Sequence, residues 1–300
     1  MSPSTPLLAA IEAGGTKFML ALGTGPDDLR ETTRIPTTRP DETMAAVVAW
    51  FQEARGRHGK FAALGVGTFG PAGLQPGAAD YGFITTTPKP HWAHTDLLGP
   101  LRQAFGVPMA FDTDVNAAAL GESIWGAGQG CDPLVYLTVG TGIGGGVMVH
   151  GRPLHGLLHP EMGHLRIPSA SPAFAGHCPW HGDCLEGLAS GPAIAARWGQ
   201  AAESLPPDHP AWQEIASHLA AAALNILVTL SPKRLIMGGG VLQNDHLLPR
   251  VRQHLGSLLN GYLDHPALQD GFESWLTAPG LGTRSGILGA IALAASSLEA

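Results

Sequence analysis

An α/β protein of two similar halves facing each other across a cleft is predicted by three observations. Strand-like apolar runs alternate with segments of helical periodicity along most of the chain. A unit of strand, glycine turn and strand occurs twice, at 6–22 (PLLAAIEAGGTKFMLAL) and at 134–149 (LVYLTVGTGIGGGVMV). The 300 residues are 44% hydrophobic and 14% charged, enough for sizeable cores, and the 41 glycines are about twice the average share of ~7%.

The elements follow in order. After the first strand pair, 42–57 (ETMAAVVAWFQEARGR) repeats apolar residues at helical spacing, and 61–67 (FAALGVG) reads as a buried strand. Residues 96–105 read as a short helix, 107–112 (VPMAFD) as a strand and 115–124 (VNAAALGESI) as a helix. Beyond the second strand pair, 211–230 is a long Ala/Leu helix, RLIMGGGV at 234–241 a strand running into glycines, and 285–297 a terminal helix. SLPPDHP at 204–210 is a loop. The expected division is an N-terminal α/β domain at 1–117, with a C-terminal helix 285–300 packing back on it, and a second α/β domain at 118–284.

The net charge of −7 and the lack of a Lys/Arg run argue against nucleic acid or an anionic membrane as partner. MSPSTPLLAAIEAGG has neither the basic nor the apolar region of a secretory signal, and no apolar run approaches the ~18 residues a membrane span requires. Three cysteines, Cys131, Cys178 and Cys184, cannot frame a chain this long with disulfides. A cytoplasmic protein with reduced thiols is expected.

G-x-G-x-x-G occurs at Gly65–Gly70 and at Gly140–Gly145, but Pro71 closely follows the first and a strand-like VMV the second. A dinucleotide fingerprint needs a helix there. The phosphate loop G-x-x-x-x-G-K-[ST] is absent. What remains is a glycine turn between antiparallel strands, used twice, at Gly14-Gly15-Thr16-Lys17 and around Gly140-Thr141-Gly142. Exposed N–H groups in such turns make anion nests, and plain hairpins would not need five glycines within 140–146.

EAGGTK (12–17), GTFGPAG (67–73), DTDVNAAALGE (112–122), TVGTGIGGG (138–146), EMGH (161–164), CPWHGDCLEG (178–187) and GGGV (238–241) stand in the order found in the ROK family. By this resemblance, from about residue 8 to 295, the chain is similar to bacterial sugar kinases and related repressors with an actin-like, ribonuclease H-like ATPase fold. TTTPKPHW (85–92) and the Cys-x2-His-x2-Cys core look like its fructokinase branch. Glu12 stands where most members carry Asp, Thr113 where many carry Asn and His181 where many carry Cys.

The resemblance implies ATP bound by the two glycine turns (Gly14, Gly15, Thr16, Lys17, Thr141, Gly142), by Pro192 and by Gly238, Gly239, Gly240 and Val241, with Mg²⁺ arriving on the nucleotide. It places the catalytic base at Asp114. On the residues alone, Asp112 or Asp114 could equally cap the following helix. Gly70, Pro71 and Thr113 are implied at the sugar, with Asn116 as a supporting polar group. Glu161, His164 and Glu186 are the expected partners of sugar hydroxyls, since a carboxylate can accept from two vicinal hydroxyls. Glutamates are ordinarily surface acids, but these two lie in Gly-rich, apolar surroundings (HPEMGHL, DCLEGLA).

Cys178, His181 and Cys184 have the spacing of structural zinc ligands, and His164, at the family's Gly-His position, is the expected fourth. His177 and His159 are rivals, though His177 adjoins Cys178 and would strain the chelate. Cys131 is left over as a buried thiol.

The reading is an ATP-dependent kinase making D-fructose 6-phosphate, with a glucokinase or mannokinase as the nearest rival and a homodimer as the assembly common in such families. A sugar-sensing repressor would need a DNA-binding segment ahead of residue 8, where too few residues stand for one. A zinc hydrolase would need His-Glu-x-x-His, which HPEMGH does not supply.

Overall fold

The computed structural model describes residues 5–169 and 173–299, so residues 1–4 and 300 of the expected first domain lie outside the described residues. The chain divides into two compact units. Unit 1 runs through Trp125, takes in Pro153–His159 and resumes at Arg284, while unit 2 holds Gly126–Arg152 and Pro160–Thr283.

Unit 1 opens with β1 (Leu8–Ala13), β2 (Lys17–Gly25) and β3 (Asp28–Pro36), joined antiparallel. Helix α1 (Pro40–His58) leads to β4 (Ala63–Thr68), parallel to β1. A two-stranded ribbon, β5 (Phe83–Ile84) and β6 (Thr95–Asp96), precedes α2 (Leu98–Phe105), β7 (Met109–Thr113) and α3 (Asp114–Trp125). The sheet order is β3-β2-β1-β4-β7.

Helix α1 starts where the sequence favours a start: Pro sits in its first turn with Asp41 and Glu42, and Arg55, Arg57 and His58 complement the dipole at its end. Strand β1 is apolar on both faces because both are covered. Ala9, Ile11 and Ala13 enter a core with Phe18, Val47, Phe51, Leu98 and Phe105, while Leu8 and Ala10 are equally buried and by alternation face the other side. Burying a side chain such as Phe51 contributes about 1.5–3 kcal/mol.

The expected boundary after residue 117 falls inside α3, which belongs whole to unit 1. Its first turn is fixed by β7, and its face packs on the last helix, so contacts rather than chain order draw the division.

Unit 2 repeats the pattern. Strands β8 (Leu134–Val139) and β9 (Ile143–Val149) are antiparallel, followed by β10 (Arg152–Pro153). Helices α4 (Leu185–Ala189), α5 (Gly191–Trp198) and α6 (Ala211–Leu230) lead to β11 (Arg234–Gly238), parallel to β8. Then come α7 (Leu247–Leu259), α8 (Pro266–Gln269) and β12 (Leu276–Thr277). The sheet order, β10-β9-β8-β11-β12, matches that of unit 1 position by position.

Helix α6 corrects one expectation: it is long and apolar enough to cross a membrane by length and composition. Its physical role here is a core helix. It buries Trp212, Ile215, Leu219, Ala223 and Ile226, packs on α7 and α4, and carries Glu214 in an ion pair with Arg197.

The chain returns to unit 1 with α9 (Ser285–Ser296), which packs on α3 and across β1, β2 and β4. This explains the first G-x-G-x-x-G. A Cβ on Gly65 would stand 2.0 Å from Ala290 O, and one on Gly67 2.9 Å from Ala117 Cβ. Those glycines admit two helices against β4 and are not part of a dinucleotide turn.

Candidate functional site

In unit 1 the β7–α3 junction closes on itself. Asp112 Oδ1 accepts the Thr113 N–H at 2.8 Å and the Asn116 side-chain N–H at 2.7 Å, and Thr113 Oγ1 accepts the Asn116 N–H at 3.1 Å. Thr113 is therefore the side chain that caps α3, a role that on the residues alone Asp112 or Asp114 could equally have filled. Asp112 is buried. Asp114, the first residue of α3, is partly exposed and accepts the Val115 N–H at 2.9 Å.

Gly70 and Pro71 follow β4 through a cis peptide. Pro71 O accepts the N–H of Thr85 at 2.8 Å and its hydroxyl at 3.0 Å. His159 Nε2 accepts the Ala72 N–H at 3.1 Å, so this histidine is engaged in unit 1.

The Gly14–Thr16 turn is held by Thr37, whose hydroxyl donates to Gly14 O at 2.7 Å and whose N–H donates to Thr16 O at 3.0 Å. Thr16 and Lys17 are exposed. On β1 beneath them, burial pushes the Glu12 carboxyl up to about 7, against the opposing pull of Lys17 and of the Ile287 N–H that it accepts.

In unit 2 three candidate segments converge. Gly140 O accepts the Gly191 N–H at 2.8 Å, and a Cβ on Gly140 would lie 3.8 Å from Gly240 N. Thus the turn Gly140–Gly142, the first turn of α5 with Pro192, and Gly239–Gly240 form one backbone platform, with Thr141 exposed at its tip and Val241 buried beside it. Gly238 ends β11. Gly239 has φ 97°, in the region that favours glycine.

Glu186 lies on this turn: its Oε2 accepts the Ile143 N–H at 2.9 Å. Glu161 precedes a 3₁₀ turn, Met162–His164, whose geometry aligns side chains three apart. Glu161 keeps solvent exposure, yet partial burial of its carboxyl, and then the charge of Glu186, raise it to about 7.

Beside these carboxylates, single ligand atoms of His164, Cys178, His181 and Cys184 all lie within 4.8 Å of one another. His164 Nδ1 is 3.2 Å from His181 Nδ1, 3.5 Å from Cys184 Sγ and 3.8 Å from Cys178 Sγ. Zinc bonded at about 2.0–2.1 Å to nitrogen and about 2.3 Å to sulfur gives tetrahedral edges of about 3.3 Å N···N and about 3.5 Å N···S, so the donor set fits that ion. The knuckle is built by reciprocal backbone bonds between Cys178 and Gly182. Burial first of all pushes the Cys184 thiol up to about 11, so a buried thiolate here calls for a cation. His177 is exposed and outside the set.

The candidates thus divide between the units. Sequence reasoning missed His155, whose Nε2 lies 3.0 Å from Asp112 Oδ2. It also missed the seat of Glu186 on the glycine turn. The only signal for His155 was LHGLLHP, two histidines around an apolar pair.

A sequence profile of the ROK family matches residues 8–297. The fructokinase of Zymomonas mobilis is 44% identical over 300 residues, covering 98% of both chains. That of Pediococcus pentosaceus is 42% identical over 294 residues, covering 98% of this chain and 99% of its own. The crystal structure of a ROK family glucokinase from Streptomyces griseus in complex with glucose and AMPPNP superposes with a TM-score of 0.78 at 25% identity, covering 97% of this chain and 99% of that one.

Proposed function

The chain belongs to the ROK family, and from that membership we propose that it transfers the terminal phosphoryl group of ATP to a hexose, converting D-fructose to D-fructose 6-phosphate. The observation that carries the reading is the 44% and 42% identity to two fructokinases over nearly the whole chain. A glucokinase or mannokinase is the rival, favoured by weaker likenesses: two glucokinases at 27% and 25% sequence identity and a glucokinase structure at 25% identity.

Asp114 is the base that takes the proton of the attacking hydroxyl. As the new P–O bond forms, the bond to the bridging oxygen breaks and ADP leaves. The phosphates are assigned to the turns Gly14–Lys17 and Thr141–Gly142, and the adenosine to Pro192 and Gly238–Val241. Mg²⁺ on ATP would neutralise phosphate charge and be held mainly by phosphate oxygens and water. Gly70, Pro71, Thr113, Glu161, His164 and Glu186 contact the sugar.

Zinc is the structural ion for which Cys178, His181, Cys184 and His164 are suited. With His164 Nδ1 turned toward that set, its Nε2 is the atom left for a hydroxyl. A cytoplasmic site, where ATP is supplied, and a homodimer complete the reading.

The test is product identity. With ATP, Mg²⁺ and fructose, the protein should form fructose 6-phosphate, read by coupling to an isomerase and a dehydrogenase specific for glucose 6-phosphate. ADP release without that product overturns the assignment.

A further inference from the structure

We propose that His155 is a positioning residue for phosphoryl transfer: it buttresses, from outside, the hydrogen-bonded ring that sets the direction of Asp114. The proposal rests on the reading of Asp114 as the base.

The segment Pro153–His159 is flanked on both sides by chain that belongs to unit 2, yet it packs in unit 1. It delivers two imidazoles to the two loops of unit 1 that hold candidate sugar and base residues. His159 takes the Ala72 N–H beside Gly70 and Pro71. His155 reaches the β7–α3 junction, where its Nε2 stands 3.0 Å from Asp112 Oδ2 and 3.5 Å from Asn116 Nδ2.

The donors decide the chemistry. Asp112 Oδ1 already accepts from the Thr113 backbone and the Asn116 side chain, and the remaining oxygen faces His155. A carboxylate is only an acceptor, so His155 donates Nε2–H to it. The short approach of His155 to Asn116 is then two donors side by side on one carboxylate.

Residues 112, 113 and 116 form a ring around residue 114, tied by Asp112–Thr113, Thr113–Asn116 and Asn116–Asp112 bonds. Asp112 is 3% exposed, and so a misplaced carboxylate there has no water shell to fall back on. Without the imidazole one of its oxygens loses its donor, the ring relaxes, and Asp114 turns with the first turn of α3. His155 touches neither substrate nor reacting atoms in this account.

The test compares His155→Leu, His155→Gln and Asp114→Asn in the full chain, with fructose, ATP and Mg²⁺. His155→Leu should lower kcat by ~10-fold or more while KM for ATP stays within about two-fold, since a small misplacement near the reacting atoms costs up to ~10²-fold. His155→Gln, whose amide N–H can occupy the Nε2 position, should recover most of that loss. The double variant with Asp112→Asn should be little worse than the poorer single one, as expected of residues in one network. Undiminished kcat in His155→Leu, or equal losses in the Leu and Gln variants, overturns the proposal. Undiminished kcat in Asp114→Asn overturns the base reading and the proposal with it, whereas loss in Asp114→Asn without loss in His155→Leu overturns the proposal alone.

Discussion

Glu186 and Ile143 are joined by a 2.9 Å hydrogen bond from the Ile143 backbone N–H to the Glu186 carboxylate. One N–H of a turn expected to serve phosphate therefore holds a carboxylate expected to serve the sugar, and the two proposed functions share a support. A Cβ on the neighbouring Gly142 would sit 2.9 Å from the same carboxylate oxygen. Sequence reasoning alone assigns Gly142 to the nucleotide, so that a side chain there would spare the sugar. The structure predicts otherwise: Gly142→Val should raise KM for both ATP and fructose, and Gly142→Ala should do so more mildly. Calorimetric affinity for the sugar that is unaltered in Gly142→Val would show that the carboxylate moves aside without cost.

The metal set makes a compositional prediction. Purified protein should contain about one equivalent of zinc, lost in Cys178→Ser and kept in His177→Ala. Because two thiols and two imidazoles converge within 4.8 Å, removal by a chelator should lower the thermal midpoint, by ~5 °C or more if a few kcal/mol are lost. Cys178→Ser should raise KM for the sugar and lower kcat with ATP affinity nearly intact, since Glu186 follows Cys184 by two residues. Full zinc content in Cys178→Ser contradicts the ligand set.

Asp114→Asn should keep the fold and ATP binding while kcat falls by ~10² or more, as loss of a general base implies. Asp112→Asn should be milder in kcat but should lower stability, because it alters a buried, three-donor carboxylate. Reversed kcat effects would mean that the base is Asp112.

Glu12 predicts a pH dependence of stability. Its carboxyl titrates at about 7 in the folded chain against 4.5 ordinarily, chiefly because burial penalises the charge. Below 4.5 both states hold the proton and the group contributes nothing. Between 4.5 and 7 the folded state holds more protons than the unfolded, so stability falls as pH rises, by up to about 3 kcal/mol, and the deficit persists above 7. Glu12→Gln keeps an acceptor for the Ile287 N–H and removes the charge. Its urea midpoint should match the unaltered protein near pH 4.5 and exceed it at pH 8; equal midpoints at pH 8 would show that Glu12 is solvated.

Much of the fold was legible because it is written in apolar runs. Strands β1, β8 and β11 and helices α1, α6 and α9 each carry a continuous or periodic apolar signal. Strand β3 was missed because it lies at the sheet edge and alternates partly buried with exposed polar residues, DLRETTRIP. Helix α7 was missed because Pro249 and Gly256 interrupt its pattern, although Leu247, Val251, Leu255 and Leu259 bury one face. Candidate site residues were nameable where spacing along the chain reflects spacing in space, as in Cys178, His181 and Cys184. The pairing of His155 with Asp112 joins residues 43 apart in sequence, and neither neighbourhood announces the other.

The measurement that tests the central claim most directly is kcat/KM for fructose and for glucose, with ATP and Mg²⁺, on the same preparation. The account predicts the higher value for fructose. A glucose value ~100-fold above that for fructose, or about 2.7 kcal/mol of transition-state preference, would contradict it.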